Sequence, residues 1–488
     1  MSSSVGAGEN LLIKIDGEPA FARSGDTVAA AMLRAGITTF TRSIKYHRPR
    51  GAFCLDGSCG QCLVRIDGVP SVMACRAQVR PGLRCERQNA PLGSADTDLI
   101  RAVDFVFPGG LDHHHIATFS KVAGQVALQV ARTLAGLGHL PDQPLQPVPA
   151  KVVEAEVAIV GGGPAGLSAA LGAVGSDRRG VILIERDEVI GGAALLQLDP
   201  AGPRSEQLDE LLKAVKQAGA QVWTGSEVVG LYPPEGQAVT RALLAVRGAE
   251  GLTLVHARRV IVACGGLSQP AIFAGVDRPG VYAARGLLAL AHRHGVLVGA
   301  PRGAAGSSPA PDSSAPPAGG SASSAAARPK LAVVGEGAEL ANAAAALGRA
   351  GYEIVLQADA SAVHRVRGNP VREVQLTEGG RVRKIRCDAV AIALPPAPFH
   401  ELATSCGAAA PFDAAQGGFP VQADANGRTR VPWLFVAGRV AGRAGEGAIA
   451  SGRAAGQAAA SDLETAAAAL DPAATSSAAA QAAEATRG

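Results

Sequence analysis

The segment that decides the fold is CLDGSCGQCLVRIDGVPSVMAC, residues 54–75, which holds four of the eight cysteines in a chain of 488 residues. Its cysteines follow the spacing C-x4-C-x2-C-x12-C, and the first three match the plant-type spacing of [2Fe–2S] ferredoxins. Gly57 and Gly60 lie between them, where a loop that wraps a cluster needs residues that accept positive φ. The predicted metal ligands are Cys54, Cys59, Cys62 and Cys75.

Two other uses of clustered cysteines fit this segment less well. A zinc site more often uses two C-x2-C pairs, and this segment has one. A disulfide framework needs an oxidising compartment, and the N-terminal sequence MSSSVGAGEN lacks the basic and apolar regions of a secretory signal. The pattern therefore favours an iron–sulfur cluster, with a zinc knuckle or an empty relic of a cluster site as the alternatives.

The sequence on either side of the cysteines predicts a small mixed domain. Upstream, LLIKIDGEPAFARSGDTVAAAML (11–33) indicates a strand, a turn, a second strand and a helix that begins after Asp26 and Thr27. Downstream, a hairpin around Asp67-Gly68 returns the fourth cysteine to the loop. Together these elements predict a β-grasp ferredoxin-like domain over residues 11–90, in which Cys85 is a small packed thiol rather than a ligand.

The composition of the chain excludes several classes of function. Hydrophobic residues make up 47%, charged residues 18%, and the formal net charge is +4, which is close to balanced for this length. Aromatic residues are only 3%, so few side chains are available for stacking on nucleic acid bases. No apolar run approaches the roughly 18 residues of a membrane span. We therefore expect a cytoplasmic α/β protein of several domains, with no nucleic acid partner and no membrane span.

A dinucleotide-binding pattern begins at Val153 with VEAEVAIVGGGPAGLSAALGAVG. A strand runs into Gly161-x-Gly163-x-x-Gly166, an alanine-rich helix follows, and the next strand ends at Glu185. The glycines allow backbone amides and the helix N-terminus to approach a pyrophosphate, and the acid can accept hydrogen bonds from a ribose diol. The full pattern of strand, glycine turn, helix and acid is far more specific than the glycines alone.

Two later segments resemble the flavoprotein reductases that have two dinucleotide-binding domains. ARRVIVACGGLSQP contains a strand that ends at Ala263 and Gly265, and VPWLFVAGRVAGRAGEGAIASG leads through Gly438 into a small-residue helix containing Gly447. In that family such segments lie beside FAD, so the resemblance implies FAD rather than NAD at this site. One departure is Arg439, which stands where the family has an aspartate that binds the ribityl chain.

A second Rossmann-like segment, KLAVVGEGAELANAAAALGRAGYEIVLQADA, lies between the two flavin segments. Leu340 replaces its third glycine, Glu336 lies in the turn, and the following strand is predicted to end at neutral Gln357, two residues before Asp359. These features weigh against NAD, so the use of NAD(P) stays open. The predicted domain limits are 11–90 for the β-grasp domain, 91–150 for a helical connecting segment, 151–281 and 399–460 for the FAD domain, 282–398 for the NAD-like domain with a flexible linker at 301–329, and 461–488 for an alanine-rich tail.

Three further stretches carry a more specific resemblance. RSIKYHRPRG (42–51), LIRAVDFVFPGGLDHHHI (99–116) and VARTLAGLGHLP (130–141) resemble the α subunit of heterotetrameric sarcosine oxidase. They also resemble the flavin and ferredoxin-like subunits of hydrogen cyanide synthase, opine oxidase and proline dehydrogenases. The resemblance covers roughly residues 11–460; unlike the sarcosine oxidase subunit, this chain has all four cluster cysteines and is expected to lack the C-terminal folate-linked domain.

The resemblance implies an electron-transferring subunit, dependent on FAD and [2Fe–2S], of an enzyme acting on CH–NH bonds. Amine oxidation would then occur on a partner flavoprotein of D-amino-acid-oxidase type, and the catalytic residues of this chain are unknown. The alternatives are a self-sufficient NAD(P)H:acceptor reductase and a non-catalytic assembly subunit. Two basic features are left open: His113–His115, interpreted mainly as a helix cap, and the run Arg42, Lys45, His47, Arg48 and Arg50, which fits either surface charge or support for an anionic cofactor.

Overall fold

A computed structural model of the chain describes residues 10–43, 48–89, 95–97, 125, 148–174, 180–196, 198, 205–234, 241–299 and 328–470. The chain divides into two compact units. The first comprises Met1–Leu145 and Ser268–Leu394, and the second comprises Gln146–Leu267 and Pro395–Gly488. His113–His115, Lys45, His47 and nearly all of the predicted linker lie outside the described residues.

The N-terminal residues of the first unit form a compact mixed domain. Its elements are β1 (Asn10–Ile15), β2 (Glu18–Arg23), α1 (Val28–Arg34), β3 (Thr41–Arg42), β4 (Pro49–Arg50), β5 (Leu63–Ile66), β6 (Val69–Met73) and β7 (Arg84–Arg87). Five strands form one sheet in the order β2-β1-β7-β5-β6, in which β1 and β7 are parallel and the other neighbours antiparallel. This arrangement confirms the predicted order of strands, helix and hairpin.

Local sequence explains the turns and the cap of this domain. The Thr27 side chain accepts a hydrogen bond from the Ala30 amide at 3.2 Å and so caps α1. Asp67 and Gly68 both have positive φ, 47° and 83°, as a tight two-residue hairpin between β5 and β6 requires. Cys85 is 1% exposed and its sulfur lies 3.9 Å from that of Met32, which confirms a packed thiol.

The first half of the second unit contains a mostly parallel sheet with helices. Its elements are β8 (Lys151–Val160), α2 (Pro164–Ala173), β9 (Val181–Ile184), α3 (Ser205–Gln217), β10 (Gln221–Trp223), β11 (Glu227–Tyr232), β12 (Ala242–Gly248), β13 (Gly251–Val262) and β14 (Gly266–Leu267). The sheet order is β10-β9-β8-β13-β12-β11. Neighbours from β10 to β13 are parallel, while β11, β12 and β13 form an antiparallel meander.

The remaining part of the first unit is a second Rossmann domain, residues 268–394. Its elements are β15 (Val281–Ala283), α4 (Ala284–His294), β16 (Lys330–Gly335), α5 (Gly337–Arg349), β17 (Glu353–Asp359), β18 (Val363–Gly368), β19 (Val371–Glu378), β20 (Arg381–Arg386) and β21 (Ala389–Ala393). A parallel sheet has the order β15-β21-β16-β17, and β18-β19-β20 form a separate antiparallel sheet. Strand β17 continues to Asp359, so the predicted end at Gln357 is wrong.

The C-terminal part of the second unit completes its sheet and its helical layer. Its elements are β22 (Ala397–Pro398), α6 (Glu401–Thr404), β23 (Leu434–Val436) and α7 (Gly445–Leu470). Strand β23 adds to β13 in parallel, and α7 packs on α2 through small residues. A Cβ on Gly452 would lie 2.1 Å from the Ala165 carbonyl oxygen, and one on Gly456 would lie 2.1 Å from that of Ala169. The two helix backbones are therefore in direct contact.

Within the first unit, the cysteine loop packs on the second Rossmann domain. The Ala283 amide donates to the Phe53 carbonyl at 2.9 Å, and a Cβ on Gly286 in α4 would lie 2.4 Å from the Cys54 carbonyl oxygen. Phe53 and Cys54 belong to one hydrophobic core with strands β15, β16, β18, β19 and β21. The N-terminal domain and the second Rossmann domain therefore share a core.

A buried polar cluster also joins these two domains. Arg34 donates to the Asp26 carboxylate and to the His294 carbonyl, each at 2.9 Å, and His294 Nδ1 lies 3.2 Å from Asp26. Burial raises the pKa of Asp26, but hydrogen bonds from His294, the Arg23 amide and Arg34 together hold it below its ordinary value. Among the helices of the described ranges, none has the length and apolar character needed to cross a bilayer.

Candidate iron–sulfur and dinucleotide sites

The structure brings the four predicted ligand cysteines together: three lie in the loop between β4 and β5, and Cys75 follows β6. Cys54, Cys62 and Cys75 are buried and Cys59 is half-buried, and all eight cysteines of the chain are free thiols. The side chains that lie close enough to perturb one another electrostatically are Cys59 and Cys54, Cys54 and Cys75, and Cys75 and Cys62. Within the described ranges, no three His, Cys, Asp or Glu side chains converge on a single metal ion; the sulfurs instead form an open series.

Two sulfurs of this series, those of Cys54 and Cys62, are favoured as thiolates. Hydrogen bonds from the thiols of Cys59 and Cys75 lower the pKa of Cys54, and the same contacts together with burial raise the pKa of Cys59 and Cys75. The Cys59 amide also points at the Cys54 sulfur, with 3.4 Å between nitrogen and sulfur. Since iron binds thiolate and backbone amides stabilise negative sulfur, these residues fit an iron–sulfur cluster.

The backbone of the loop has the conformation that its glycines allow. Gly57 and Gly60 have φ of 88° and 63°, and a Cβ on Gly57 would lie 2.8 Å from Arg76 Cδ. Leu55 also has positive φ, 60°, which is unusual for a residue with a branched side chain. The loop is therefore held in a curved conformation around the sulfurs.

Each of the three glycines in the turn after β8 has a different structural role. Gly161 has φ of 109° and its Cβ would lie 2.5 Å from the Ala263 carbonyl oxygen, so only glycine fits between β8 and β13. Gly163 caps α2 and its Cβ would meet no atom within 4 Å, which leaves space in front of the helix N-terminus. A Cβ on Gly166 would lie 1.8 Å from the Gly161 carbonyl oxygen, so this glycine permits close packing of helix on strand.

Glu185 follows β9 and faces the same turn. It is 7% exposed, and its carboxylate accepts hydrogen bonds from the amides of Gly162 at 2.6 Å and Asp187 at 2.8 Å. Burial raises the pKa of Glu185, although the two amide hydrogen bonds oppose the shift. The carboxylate is thus fixed beside the glycine turn, where a ribose acceptor is expected.

The other predicted flavin residues lie in the same unit. Ala263 donates its amide to the Val160 carbonyl at 2.8 Å, which fixes the end of β13 beside the glycine turn. Gly265 has φ of 76° with open space around it, and Gly438 has φ of 67° with its Cβ position against Ala165. Gly447, in the first turn of α7, also faces open space.

Arg439 has a structural task in place of the missing aspartate. Its guanidinium donates to the carbonyls of Pro396, at 2.8 Å and 3.0 Å, and Gln416, at 3.0 Å. The side chain therefore fastens the segment before β22 and the 3-10 turn at Gln416.

Three residues beside the glycine turn were not predicted. Gly191 has φ of 132° and donates its amide to the Gly162 carbonyl at 2.9 Å, and a Cβ on Gly192 would lie 3.4 Å from Gly163 Cα. Ser451 in α7 accepts the Gly438 amide at 3.0 Å. The Gly-Gly pair six residues after Glu185 was a usable signal in the sequence, whereas Ser451 had none because its contact is tertiary.

The second Rossmann domain does place an acid at the end of its second strand. Asp359 is paired in register with Gly335 at the end of β16. Its carboxylate accepts the Ser361 amide at 2.9 Å, and the hydrogen bonds from Ser361 lower its pKa. Glu339, in the first turn of α5, forms an ion pair with Arg285 at 2.8 Å, so the charge of Glu339 is compensated within the domain.

The basic run before the cysteines is not a single charged surface. Arg42 is 3% exposed and donates to the carbonyls of Ala95, at 2.9 Å, and Asp96, at 3.2 Å. Arg50 pairs with Asp277 at 3.4 Å. The interpretation of Arg42 as surface charge is therefore wrong, whereas Arg50 is half-exposed and its role stays a prediction.

Comparisons with known proteins agree with this architecture. Residues 8–90 match the family model described as a 2Fe-2S iron–sulfur cluster binding domain. The L-proline dehydrogenase from P. horikoshii has a similar fold, with a TM-score of 0.64 at 20% identity over 94% of this chain and 74% of that one. The protein is thus of the class that joins an N-terminal [2Fe–2S] domain to a flavoprotein fold with two Rossmann domains.

Curated relatives identify the family. Hydrogen cyanide synthase subunit HcnA of Pseudomonas aeruginosa is 38% identical over 80 residues, which is 16% of this chain and 76% of that protein. Sarcosine oxidase subunit alpha of Rhizobium meliloti is 28% identical over 313 residues, which is 59% of this chain but only 31% of that protein. The chain belongs to the family of sarcosine oxidase α-like and hydrogen cyanide synthase-type oxidoreductases, and its cofactors are [2Fe–2S] and FAD.

Proposed function

We propose that this chain is the electron-transferring subunit of an amine or imino-acid dehydrogenase or oxidase complex in the cytoplasm. The observation that supports this most strongly is the series of four cysteine sulfurs in the same chain as a complete dinucleotide turn. Beyond the N-terminal domain the sequence has no cysteine pair of the kind a disulfide reductase uses, since Cys264, Cys387 and Cys406 are isolated. The domain limits given above are part of this proposal.

Each proposed cofactor has a set of residues to hold it. The cluster ligands are Cys54, Cys59, Cys62 and Cys75, and the FAD-binding residues are Gly161, Gly163, Gly166, Glu185, Ala263, Gly265, Gly438 and Gly447. FAD exchanges electrons in pairs and a [2Fe–2S] cluster exchanges them singly, so their combination suits conversion between the two.

The residues of the chain bind and orient these groups. The open space at Gly163 lets amides at the N-terminus of α2 approach a pyrophosphate, which the helix dipole favours. Glu185, held by two amides, keeps lone pairs for ribose hydroxyls. Burial of Cys54, Cys62 and Cys75 restricts access of water to the sulfurs.

The substrate class comes from the relatives. Two of the related proteins are named as a sarcosine oxidase subunit and a hydrogen cyanide synthase subunit. Sarcosine is an N-methylated amino acid, so a secondary amine or imino acid is the proposed substrate, oxidised on a partner flavoprotein of D-amino-acid-oxidase type.

An anaerobic titration of the purified, iron-reconstituted chain tests the proposal. Dithionite should bleach the flavin absorbance and produce a low-temperature EPR signal of a reduced [2Fe–2S] cluster, whereas N-alkyl and cyclic amino acids should reduce neither centre without the partner. Reduction by an amino acid alone would show a complete dehydrogenase. Absence of any cluster signal with dithionite, in protein shown to contain iron and sulfide, would refute the cluster assignment.

A second candidate, an NAD(P)H:acceptor reductase, is favoured by the position of Asp359 opposite Gly335. It predicts that NADH bleaches the flavin in the same titration and that Asp359→Ala abolishes the bleaching. If NADH has no effect on the wild-type chain, this candidate fails and the electron-transferring role is retained.

A further inference from the structure

The antiparallel sheet β18-β19-β20 has an unusually cationic outer face. Its inner face, with Val366, Val374 and Leu376, lies in the hydrophobic core of the first unit. The register places Arg365 opposite Gln375 and Arg367 opposite Glu373, while Lys384 and Arg386 lie on the far side of the same two residues. The residues that share the outer face are thus Arg365, Arg367, Glu373, Gln375, Lys384 and Arg386.

The cations of this face form no ion pair within the described part of the chain. Arg365, Arg367, Lys384 and Arg386 are exposed, and none forms an ion pair with another residue that the structure describes. Glu373, the one carboxylate between them, accepts a hydrogen bond from Gln375 at 2.8 Å. By contrast, Arg372 pairs with Asp388 at 3.6 Å and Arg383 pairs with Glu378. Four cations therefore face a single carboxylate on this surface, and the excess positive charge favours an anionic partner.

A cavity and exposed apolar side chains adjoin these cations. A cavity of about 440 Å³ is lined by three arginines, Arg278, Arg365 and Arg367, and by Ala274, Gly275, Val366 and Gly368. Ile272 is 98% exposed and lies two residues before Ala274, which forms a β-bridge with Arg365; Val382 on the outer face is 63% exposed. Apolar side chains beside a charged patch are typical of a protein interface rather than of a small-anion site.

We propose that this cationic face, together with Ile272, is the docking surface for an acidic one-electron carrier protein. The inference rests on the proposed electron-transferring function. The core behind the face includes Cys54 and has Cys59 packed against it, so a carrier bound here is backed by the layer that contains two predicted cluster ligands. Each docked carrier accepts one electron, and the two electrons of one amine oxidation leave in two encounters.

Binding of an oxidised plant-type [2Fe–2S] ferredoxin, an acidic protein, to the full holo chain tests this surface. The double variant Arg365→Gln/Arg367→Gln should weaken binding roughly 2- to 30-fold, as expected for two exposed charges. The matched control is Lys213→Gln/Lys216→Gln, which removes two exposed lysines from α3 and should leave the Kd unchanged within twofold. Raising ionic strength from about 10 to about 150 mM should weaken wild-type binding strongly, since the Debye length falls from about 30 to about 8 Å.

Three results would overturn the proposal: equal Kd values for the wild type and the Arg365/Arg367 variant, equally tight binding of a basic cytochrome c, or displacement of the ferredoxin by inorganic pyrophosphate together with an unchanged Kd for Ile272→Ser. The last pair of results would identify a small-anion site. Because both proteins stay oxidised, binding is measured without electron transfer. A failed dithionite titration would refute the proposed function separately.

Discussion

The contact between α2 and α7 makes a quantitative prediction for Gly456→Ala. A Cβ there would lie 2.1 Å from the Ala169 carbonyl oxygen and 2.8 Å from the Ala173 nitrogen, both backbone atoms. The helices have to separate by about 1 Å, and overpacking of this kind costs about 1–3 kcal/mol. Alanine gains about 1 kcal/mol of helix propensity over glycine. With a packing cost at the upper end of this range, about 3 kcal/mol, subtracting the gain in helix propensity leaves a net loss of about 2 kcal/mol in the free energy of unfolding.

The second unit offers a specific probe of this loss. The chain has two tryptophans, Trp223 and Trp433, and both belong to the second unit, so their fluorescence reports its unfolding. A loss of about 2 kcal/mol in a domain of this size lowers the Tm by about 4–8 °C. In Gly447→Ala, on the same helix, the new Cβ meets no atom within 4 Å, so the Tm should stay equal or rise slightly. A Gly456→Ala protein that melts above the wild-type temperature would refute the backbone contact.

Three other predictions address the cluster, Glu185 and the buried arginine. Cys54→Ser should lose iron and acid-labile sulfide, whereas Cys85→Ser, at a packed thiol, should keep both in the same assay. The pKa of Glu185 is raised in the folded state, so its contribution should make the free energy of unfolding of the apo protein increase as pH falls from 8 to about 5. Glu185→Gln should reduce this pH dependence in urea titrations. An unchanged pH dependence would exclude the pKa shift. Arg42→Met should lower the free energy of unfolding by about 1–3 kcal/mol, because two carbonyls lose their donor. Arg50→Met, at a half-exposed ion pair, should lower it by under about 1 kcal/mol. Equal losses for the two variants in urea unfolding would contradict the difference in burial.

Much of the fold was predictable because its signals are local. The cap at Thr27 and the Asp67-Gly68 turn depend on residues within a few positions of one another. The same holds for the strand, glycine turn and helix from Lys151 to Ala173, where the spacing itself encodes the geometry. The grouping of four sulfurs also followed from the spacing, because one hairpin brings the fourth cysteine back to the loop.

The predictions that were wrong depended on distant contacts. The strand β17 was predicted to end at Gln357. Pairing with β16 extends it to Asp359, and the sequence alone does not show that pairing. Arg42 was assigned to a basic run that fits either surface charge or support for an anionic cofactor. Its guanidinium is instead buried and donates hydrogen bonds to the carbonyls of residues 95 and 96. A charged side chain is buried only where such acceptors are supplied, and sequence spacing does not show them.

The sequence by itself determined the class of this protein: cysteine spacing predicts the cluster loop, and a complete glycine fingerprint predicts the nucleotide turn. Only the tertiary structure decided which residues those elements meet. It packs the cysteine loop on α4 of the second Rossmann domain and places Gly452 and Gly456 against the backbone of α2. It also collects four cations on one face of a sheet, where none of them forms an ion pair with a residue that the structure describes. The physical reason is range: turns, caps and helix starts depend on neighbours in the chain, whereas packing and charge compensation depend on residues that meet only after folding.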